Sequence, residues 1–191
     1  PLQGYSAWLE NMVAGIPVEV GRHAPDESGF DLVVSSARLD ESLDYRFGAL
    51  QYRCVEFDLR RDEDWEEPAF GTINLPQDDW FFRKCNFNVL HQQLDRRSLI
   101  QYQRAVACGP DQMPMYPLTT RENEARFQQY LEEACRRSTF CPAGRLGLFK
   151  YLDMDEAIDA AFCLADLVAD YPRLTATERV AAISRIRSRY A

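Results

Sequence analysis

The sequence predicts an α+β fold, in which an antiparallel sheet of about five strands is accompanied by a small layer of short strands and helices. Residues 50–106 contain successive short apolar runs separated by polar turns, as is typical of antiparallel strands. Residues 119–137 and 153–170 instead carry apolar side chains at helical spacing behind a capping residue. With 191 residues, of which 46% are hydrophobic, the chain is long enough for one sizeable core.

The first 35 residues are predicted to form one helix and two short strands. Ser6 is a suitable N-cap for a helix over residues 7–14, and Gly15 is a suitable stop. Apolar runs at residues 17–20 and 32–35 predict strands separated by an exposed polar loop. These strands need partners, either in a small sheet of this chain or in another chain that pairs with an exposed edge.

The main sheet is predicted from residues 50–59, 70–75, 80–90 and 99–106. In the first of these strands the apolar alternation changes phase between Cys54 and Val55, which indicates a bulge or a change of buried face. In the third, a period of two places Arg83 on the same face as four less polar residues, Phe81, Cys85, Phe87 and Val89. An arginine in such a row needs an anionic ligand or an acidic side chain of the protein, and the sequence leaves both open.

Three capping boxes predict three helices. Thr119 with Glu122 begins a helix that ends near residue 137, Asp153 with Glu156 begins one that ends near residue 170, and Thr175 with Glu178 begins one that ends near residue 187. The buried face of the first is predicted to be Phe127, Tyr130, Leu131 and Ala134, and that of the second Ile158, Ala161, Phe162 and Ala165.

Composition excludes several classes of function. The formal net charge of −8 argues against nucleic acid or an anionic membrane as a partner, since both favour a basic surface. No apolar segment is long enough to span a membrane and no leader opens the sequence, so a cytoplasmic protein is expected. The six cysteines show no C-x-x-C pair, so reduced, mostly buried thiols are expected. The sequence has only two histidines, so a zinc site is not expected.

Residues 144–155, GRLGLFKYLDMD, have the highest density of functional residue types. Residues 146–149 are predicted to form a short strand that leads into the helix capped by Asp153. This strand would bring Arg145, Lys150 and Tyr151 to a helix N-terminus, which favours phosphate groups. A purely structural explanation is also open, because strand-to-helix turns commonly use Gly and Asp for backbone reasons alone.

The same stretch resembles the closing motif of the UDP-galactopyranose mutases, flavoenzymes that interconvert pyranose and furanose forms of a nucleotide sugar. Three upstream segments are also similar to that family. Residues 1–12 (PLQGYSAWLENM) resemble its P-x-x-G-Y-T-x-x-F-E-x-M, and residues 43–53 (LDYRFGALQYR) resemble its F-D-Y-R-F-G-x-L-x-Y-R. Residues 81–83 (FFR) stand where the family has Y-T-R, and residues 114–117 (PMYP) where it has P-Y-Y-P.

The resemblance covers the C-terminal half of the family and implies a single domain over residues 1–168 with a helical extension over residues 169–191. It implies an isomerase-type enzyme in which the substrate diphosphate is held by Arg83, Tyr116 and Tyr151. It also implies that the flavin of FAD is approached by Gly144, Arg145, Asp153, Met154 and Asp155. No two glycines of this sequence are separated by a single residue, so the family's main FAD-binding fingerprint, G-x-G-x-x-G, is absent.

Three hypotheses follow. In the first, the chain acts on a nucleotide sugar or another phosphorylated small molecule, with altered or absent flavin dependence. In the second, it is part of a split flavoenzyme completed by a Rossmann-bearing chain, and in the third it is a non-catalytic binding or interaction module. A homodimer is also open. Retention of the arginines and tyrosines favours an enzyme. Phe81, Met115 and Phe149, where the family often has tyrosine, keep the bulk and lose a hydroxyl.

Overall fold

The computed structural model describes residues 4–21, 28–62, 70–90, 98–109 and 112–190. The strands are β1 (Val33–Ser35), β2 (Tyr52–Asp62), β3 (Thr72–Asn74), β4 (Arg83–Asn86), β5 (Ser98–Ala107), β6 (Tyr116–Pro117) and β7 (Phe140–Pro142). The α-helices are α1 (Gly4–Met12), α2 (Phe87–Leu90), α3 (Arg121–Ala134), α4 (Gly144–Gly147), α5 (Met154–Val168) and α6 (Ala176–Arg187), and 3-10 turns lie at Glu41–Leu43 and Tyr171–Arg173.

A five-stranded antiparallel sheet confirms the predicted fold class. Its strand order is β3-β4-β5-β2-β6, and a separate two-stranded parallel sheet joins β1 to β7. The β2–β5 ladder runs without interruption from the Arg53–Ala107 pair to the Asp62–Ser98 pair, so of the two alternatives predicted for this strand, a bulge or a change of buried face, the bulge is wrong. The apolar alternation changes phase because both faces of β2 carry apolar residues: Tyr52 and Cys54 are buried on one face, and Phe57 and Leu59 are exposed on the other.

The predicted strand at residues 80–90 is shorter than expected. β4 ends at Asn86, and the next four residues turn into α2. The buried side chain of Asn86 explains the change, because its Oδ1 accepts hydrogen bonds from the backbone N–H groups of Asn88 and Val89. Only Arg83 and Cys85 of the predicted row therefore lie on one face of a strand.

The N-terminal predictions are partly wrong. The first helix begins at Gly4 and ends at Met12, and it buries none of its residues. No strand forms over residues 17–20, whereas the run at 32–35 becomes β1 and pairs with β7 of the same chain. Within the described ranges, no helix has the length and apolar character needed to cross a membrane.

The core lies between α3, α5, α6 and the two-stranded sheet. The predicted face of α3 is confirmed, since Phe127, Tyr130, Leu131 and Ala134 are all buried. The helix begins one residue later than predicted, because the Thr120 hydroxyl, not that of Thr119, accepts from the N3 backbone N–H. The capping boxes at the starts of α5 and α6 are confirmed.

The predicted buried face of α5 is wrong. The helix turns Ala160 and Leu164 toward the core, with Ala157, Cys163 and Leu167 packed beside them. Ile158 and Phe162 lie on the outside, with Phe162 69% exposed. Because nearly every turn of this helix is apolar, sequence periodicity could not distinguish the two faces.

Helix α6 packs into the same core as the family-like part of the chain. Ile183 and Ile186 are buried against that core, together with Tyr171 from the preceding turn. The nearly buried Arg179 donates from Nε to the carbonyl oxygen of Cys135 at 2.8 Å. The last helix is therefore bound to the C-terminal end of α3 by polar as well as apolar contacts.

Cys54 and Cys108 form a disulfide bond, so the expectation of reduced thiols is wrong for this pair. The bridge joins β2 to the residue that follows β5, with a Cα–Cα distance of 5.0 Å. The two cysteines are 54 residues apart in the sequence, and only the pairing of β2 with β5 brings them close together. Cys85, Cys135, Cys141 and Cys163 are free thiols.

Replacing Cys54 and Cys108 together by Ala should lower the free energy of unfolding by about 4 kcal/mol, since the bridge closes a loop of roughly 54 residues in the unfolded chain. Urea denaturation of the oxidised protein and of the double variant measures the difference. Cys163→Ala is the control, because this thiol is free and only partly buried. Equal midpoints for the parent protein with and without a reducing agent would contradict the prediction.

Candidate functional site

Tyr116 and Tyr151 stack on each other at the junction of the sheet and the helical core. Their ring centroids are 5.5 Å apart and their planes are inclined by 25°. Tyr116 belongs to β6, which pairs with β2. Tyr151 lies between α4 and α5 and is 51% exposed. The structure thus brings together two of the three residues predicted to hold a diphosphate.

The turn that carries Tyr151 differs from the predicted strand. Residues 144–147 form α4, a single helical turn, and Phe149 then adopts a left-handed backbone with φ of 45°. Gly144 also has a positive φ, of 64°, and a Cβ at this position would lie 3.0 Å from Cβ of Ser36. This glycine therefore has a clear packing role beside the end of β1. The strand prediction failed because a short apolar run does not distinguish a strand from one buried helical turn.

Arg145 fixes the other side of this turn. Its Nε donates to the carbonyl oxygen of Leu152 at 2.6 Å, so the guanidinium lies beside the backbone that follows Tyr151. Arg145, Tyr116 and Tyr151 line a cavity of about 300 Å³, whose other walls are Met113, Pro114, Met115, Leu146 and Leu152. The cavity combines one cation and two phenol rings with an otherwise mostly apolar lining.

The Tyr151 hydroxyl is held in its neutral form. Partial burial raises the pKa of Tyr151, and the negative charge of Asp153, with a side-chain hydrogen bond to it, raises the pKa further. A protonated phenol is a hydrogen-bond donor. At neutral pH this tyrosine is therefore a donor. Its single proton is shared with Asp153 here, so an anionic ligand oxygen would have to replace that carboxylate as the acceptor.

Arg83, the third predicted residue, lies on the same face of the sheet as Tyr116 but apart from the cavity. It pairs with Gln103 on β5, which pairs with Phe57 on β2, whereas Tyr116 pairs with Arg53. Strand order places Arg83 and Tyr116 three strands apart, which corresponds to about 14 Å across a sheet. The Nε of Arg83 donates to Asn74 Oδ1 at 3.0 Å, so its described partner is an amide and not a carboxylate.

Strand register gives this face a distinctive charge. Arg53, Arg61 and Arg83 lie on it, and its described strand residues include no aspartate or glutamate. We call it the arginine face. On the opposite face, Glu56 and Asp58 form ion pairs with Arg104 and Arg60.

Arg53 is a candidate that sequence reasoning missed. It lies beside Tyr116 through strand pairing, a relation between residues more than sixty positions apart in the sequence. The period of two in β2 shows that Arg53 and Phe57 share a face, but only the observed register brings Tyr116 to the same place.

The residues predicted to approach a flavin divide into two groups. Gly144 is packed against Ser36, and Asp153 caps α5, so both have structural roles. Arg145, Met154 and Asp155 are exposed and adjoin the cavity or the first turn of α5. Of these three, only Arg145 lines the cavity, and the sequence has no glycine-rich loop of the kind that binds the dinucleotide phosphates.

Comparisons with known proteins agree with these motifs. A model of the UDP-galactopyranose mutase family matches residues 1–151. The chain is 32% identical over 144 residues to the UDP-galactopyranose mutase of Mycoplasma pneumoniae, in a match that covers 70% of this chain and 35% of the relative. It is 24% identical over 179 residues to the dTDP-fucopyranose mutase of Escherichia coli, covering 87% of this chain and 48% of the relative.

A probable UDP-galactopyranose mutase of Klebsiella pneumoniae is 29% identical over 175 residues, covering 87% of this chain and 44% of the relative. The family match extends over well more than half of the sequence. The chain therefore belongs to the UDP-galactopyranose mutase family, and it spans less than half the length of these three relatives.

The phenol of Tyr151 should titrate at higher pH than an unperturbed tyrosine, because partial burial and Asp153 both disfavour the phenolate. The ultraviolet difference spectrum between the parent protein and Tyr151→Phe, recorded against pH, isolates this group. Asp153→Asn should move its titration back toward the ordinary value. A Tyr151 titration that does not change in the Asp153 variant would contradict the assigned electrostatic cause.

Proposed function

We propose that this chain binds a nucleotide diphosphate sugar and takes part in pyranose–furanose isomerisation or related sugar-nucleotide chemistry. The observation that carries the proposal is the stacked tyrosine pair beside Arg145 in a cavity of about 300 Å³. Phenol donors and a guanidinium fork suit the oxygens of a diphosphate, because such hydrogen bonds are charge-assisted and directional. The names of the family and of its relatives support the substrate class.

The arginine face supports an anionic ligand independently. The whole chain has a formal charge of −8, yet this face carries three arginines and no described carboxylate. A local positive potential of this kind raises the concentration of anions at the surface. Because Arg83 and the tyrosine pair lie at separate places on that side, we propose that an extended ligand lies along the face with its diphosphate at the tyrosines.

The protein's own contribution would be to anchor and orient the ligand. Binding energy gained at the diphosphate, away from the reacting sugar carbon, can hold that carbon in a reactive position. A bound reduced flavin would supply the nucleophile for the anomeric carbon. Arg145, Met154 and Asp155 are the residues that would contact it, while Asp153 would hold the first turn of α5 in place.

A second candidate is that flavin chemistry requires further polypeptide, in the same protein or in a partner chain. Exposed apolar surface favours it: on the arginine face Phe57 is 47% and Leu59 58% exposed, and Met154, Ile158 and Phe162 form an outward stripe on α5. Contiguous apolar surface of this kind is typical of interaction sites. The chain spans 35% and 44% of the length of two of its relatives, and these shares agree with this candidate.

Absorbance after addition of FAD and removal of free cofactor distinguishes the two candidates. Retained flavin absorbance would favour chemistry by this chain alone. A colourless chain that still binds a nucleotide sugar would favour the second candidate. A chain that binds neither ligand would contradict both.

Arg145→Ala and Tyr151→Phe should each weaken UDP-galactose binding by roughly 1.5 to 3 kcal/mol, the range for a hydrogen bond to a charged group. Arg83→Ala should have a smaller effect than Arg145→Ala, because Arg83 lies three strands from Tyr116. Titration calorimetry measures all three. Tyr5→Phe is the matched control for Tyr151, since Tyr5 is 50% exposed and lies on α1. Unchanged affinity in the Arg145 and Tyr151 variants would contradict the proposed site.

Changing Phe57 and Leu59 together to Gln should lower the fluorescence of an added hydrophobic dye with little change in melting temperature, because both side chains are about half exposed. Arg61→Gln is the control, since it lies on the same face and leaves the apolar area intact. Equal dye binding by parent and double variant would show that this face is not an open apolar surface.

A further inference from the structure

Arg187, near the end of α6, reaches from the last helix to the turn that carries the candidate site. Its Nε donates to the carbonyl oxygen of Leu148 at 2.9 Å, and one terminal nitrogen donates to that of Phe149 at 3.2 Å. The same nitrogen contacts both carboxylate oxygens of Glu124 on α3, at 2.7 and 2.8 Å. Arg187 therefore holds α3, α6 and the 148–149 turn together.

The backbone that Arg187 holds has an unusual conformation. Phe149 has a φ of 45°, a left-handed conformation that is unfavourable for a non-glycine residue. Such a conformation persists only where the surroundings determine it strongly. Here it is held by the hydrogen bonds from Arg187 and by complete burial of the Phe149 ring. Backbone hydrogen bonds within the turn, from Phe149 N–H to the Leu146 carbonyl at 3.2 Å and from Lys150 N–H to the Arg145 carbonyl at 3.0 Å, add to these.

The Phe149 ring also connects the two tyrosines of the site. It stacks on Phe127, with centroids 5.7 Å apart, and meets Tyr52 edge-on at 5.2 Å. Tyr52 pairs with Pro117 in the sheet, directly after Tyr116. On the other side, Tyr151 follows Phe149 by two residues. The positions of Tyr116 and Tyr151 therefore depend on one buried aromatic cluster.

Arg187 closes this cluster from the side of α6, since its guanidinium carbon lies 4.6 Å from the centre of the Phe127 ring. A lysine could keep the charge and the pair with Glu124, but it lacks the planar fork that reaches two carbonyls and a carboxylate at once. The geometry thus requires an arginine and not merely a cation.

We propose that Arg187 is a positioning residue for the candidate site: it fixes the left-handed turn at Phe149 and thereby the stacking of Tyr151 on Tyr116. Its importance for ligand binding rests on the proposed function, whereas its effect on the tyrosine stack does not. Arg187 lies beyond residues 1–151, the part that the family model matches. The helix that carries it is thus part of the support of the site.

Fluorine NMR of protein labelled with 3-fluorotyrosine tests the proposal directly. Tyr151→Phe assigns the Tyr151 signal, and Tyr116→Leu gives its position when the stacking ring is removed. In Arg187→Lys and Arg187→Ala the Tyr151 signal should move toward its position in Tyr116→Leu. The lysine variant keeps the test valid if the alanine variant fails to fold, because it preserves the charge beside Glu124.

Arg185→Lys is the matched control, since Arg185 lies on the same helix with an exposed side chain. Its Tyr151 signal should stay in place. UDP-galactose should bind about tenfold more weakly to Arg187→Lys, as for the loss of one hydrogen bond to a charged group, and unchanged to Arg185→Lys. The melting temperature of each variant, measured in parallel, separates a displaced turn from an unfolded protein.

A folded Arg187→Lys protein with an unmoved Tyr151 signal would overturn the proposal, whatever its affinity for the ligand. A moved Tyr151 signal in the Arg187 variants, together with a parent protein that binds no nucleotide sugar, would support the positioning role and contradict the proposed function. Normal ligand binding by both Arg187 variants, with an unmoved signal, would overturn the positioning role and leave the proposed function intact.

Discussion

Burial of the Phe149 ring is the contact on which the core and the candidate site both depend. The ring packs between Phe127 of α3 and Tyr52 of β2, so it joins the helical core to the sheet. To reach this position the backbone adopts a left-handed conformation, whose cost is offset by burial of a large aromatic surface. Because Tyr151 follows two residues later, this conformation places its side chain at the protein surface.

The five-stranded sheet extends away from this contact and differs between its two faces. One face pairs its charges internally, as Arg104 does with Glu56, while the arginine face has no described carboxylate to neutralise its cations. Apolar residues lie between those cations and are about half exposed. A face of this composition is suited to contact with a ligand or a protein surface that is anionic and partly apolar. A nucleotide sugar or a further stretch of polypeptide would provide such a surface.

Local chemistry was predictable from the sequence, and long-range geometry was not. The capping boxes at Asp153 and Thr175 and the buried face of α3 depend on residues a few positions apart, and they are confirmed. The disulfide and the neighbourhood of Arg53 and Tyr116 depend on strand pairing over more than fifty residues. The outward side of α5 was mispredicted because apolar composition alone does not determine which side faces the core. The helical turn at α4 was mispredicted because a short apolar run does not distinguish a strand from one buried helical turn.

The position of the site follows from the role of β2 as the connection between the two parts of the fold. Tyr52, at the buried end of the strand, belongs to the core cluster, while Phe57 and Leu59 further along it are exposed. Tyr116 is attached to the buried end through β6, and Tyr151 reaches the same place from the core side. A ligand beside the stacked tyrosines would contact both parts where they meet. The stack already fixes the two rings relative to each other, so little ordering of these side chains would be needed when the ligand binds.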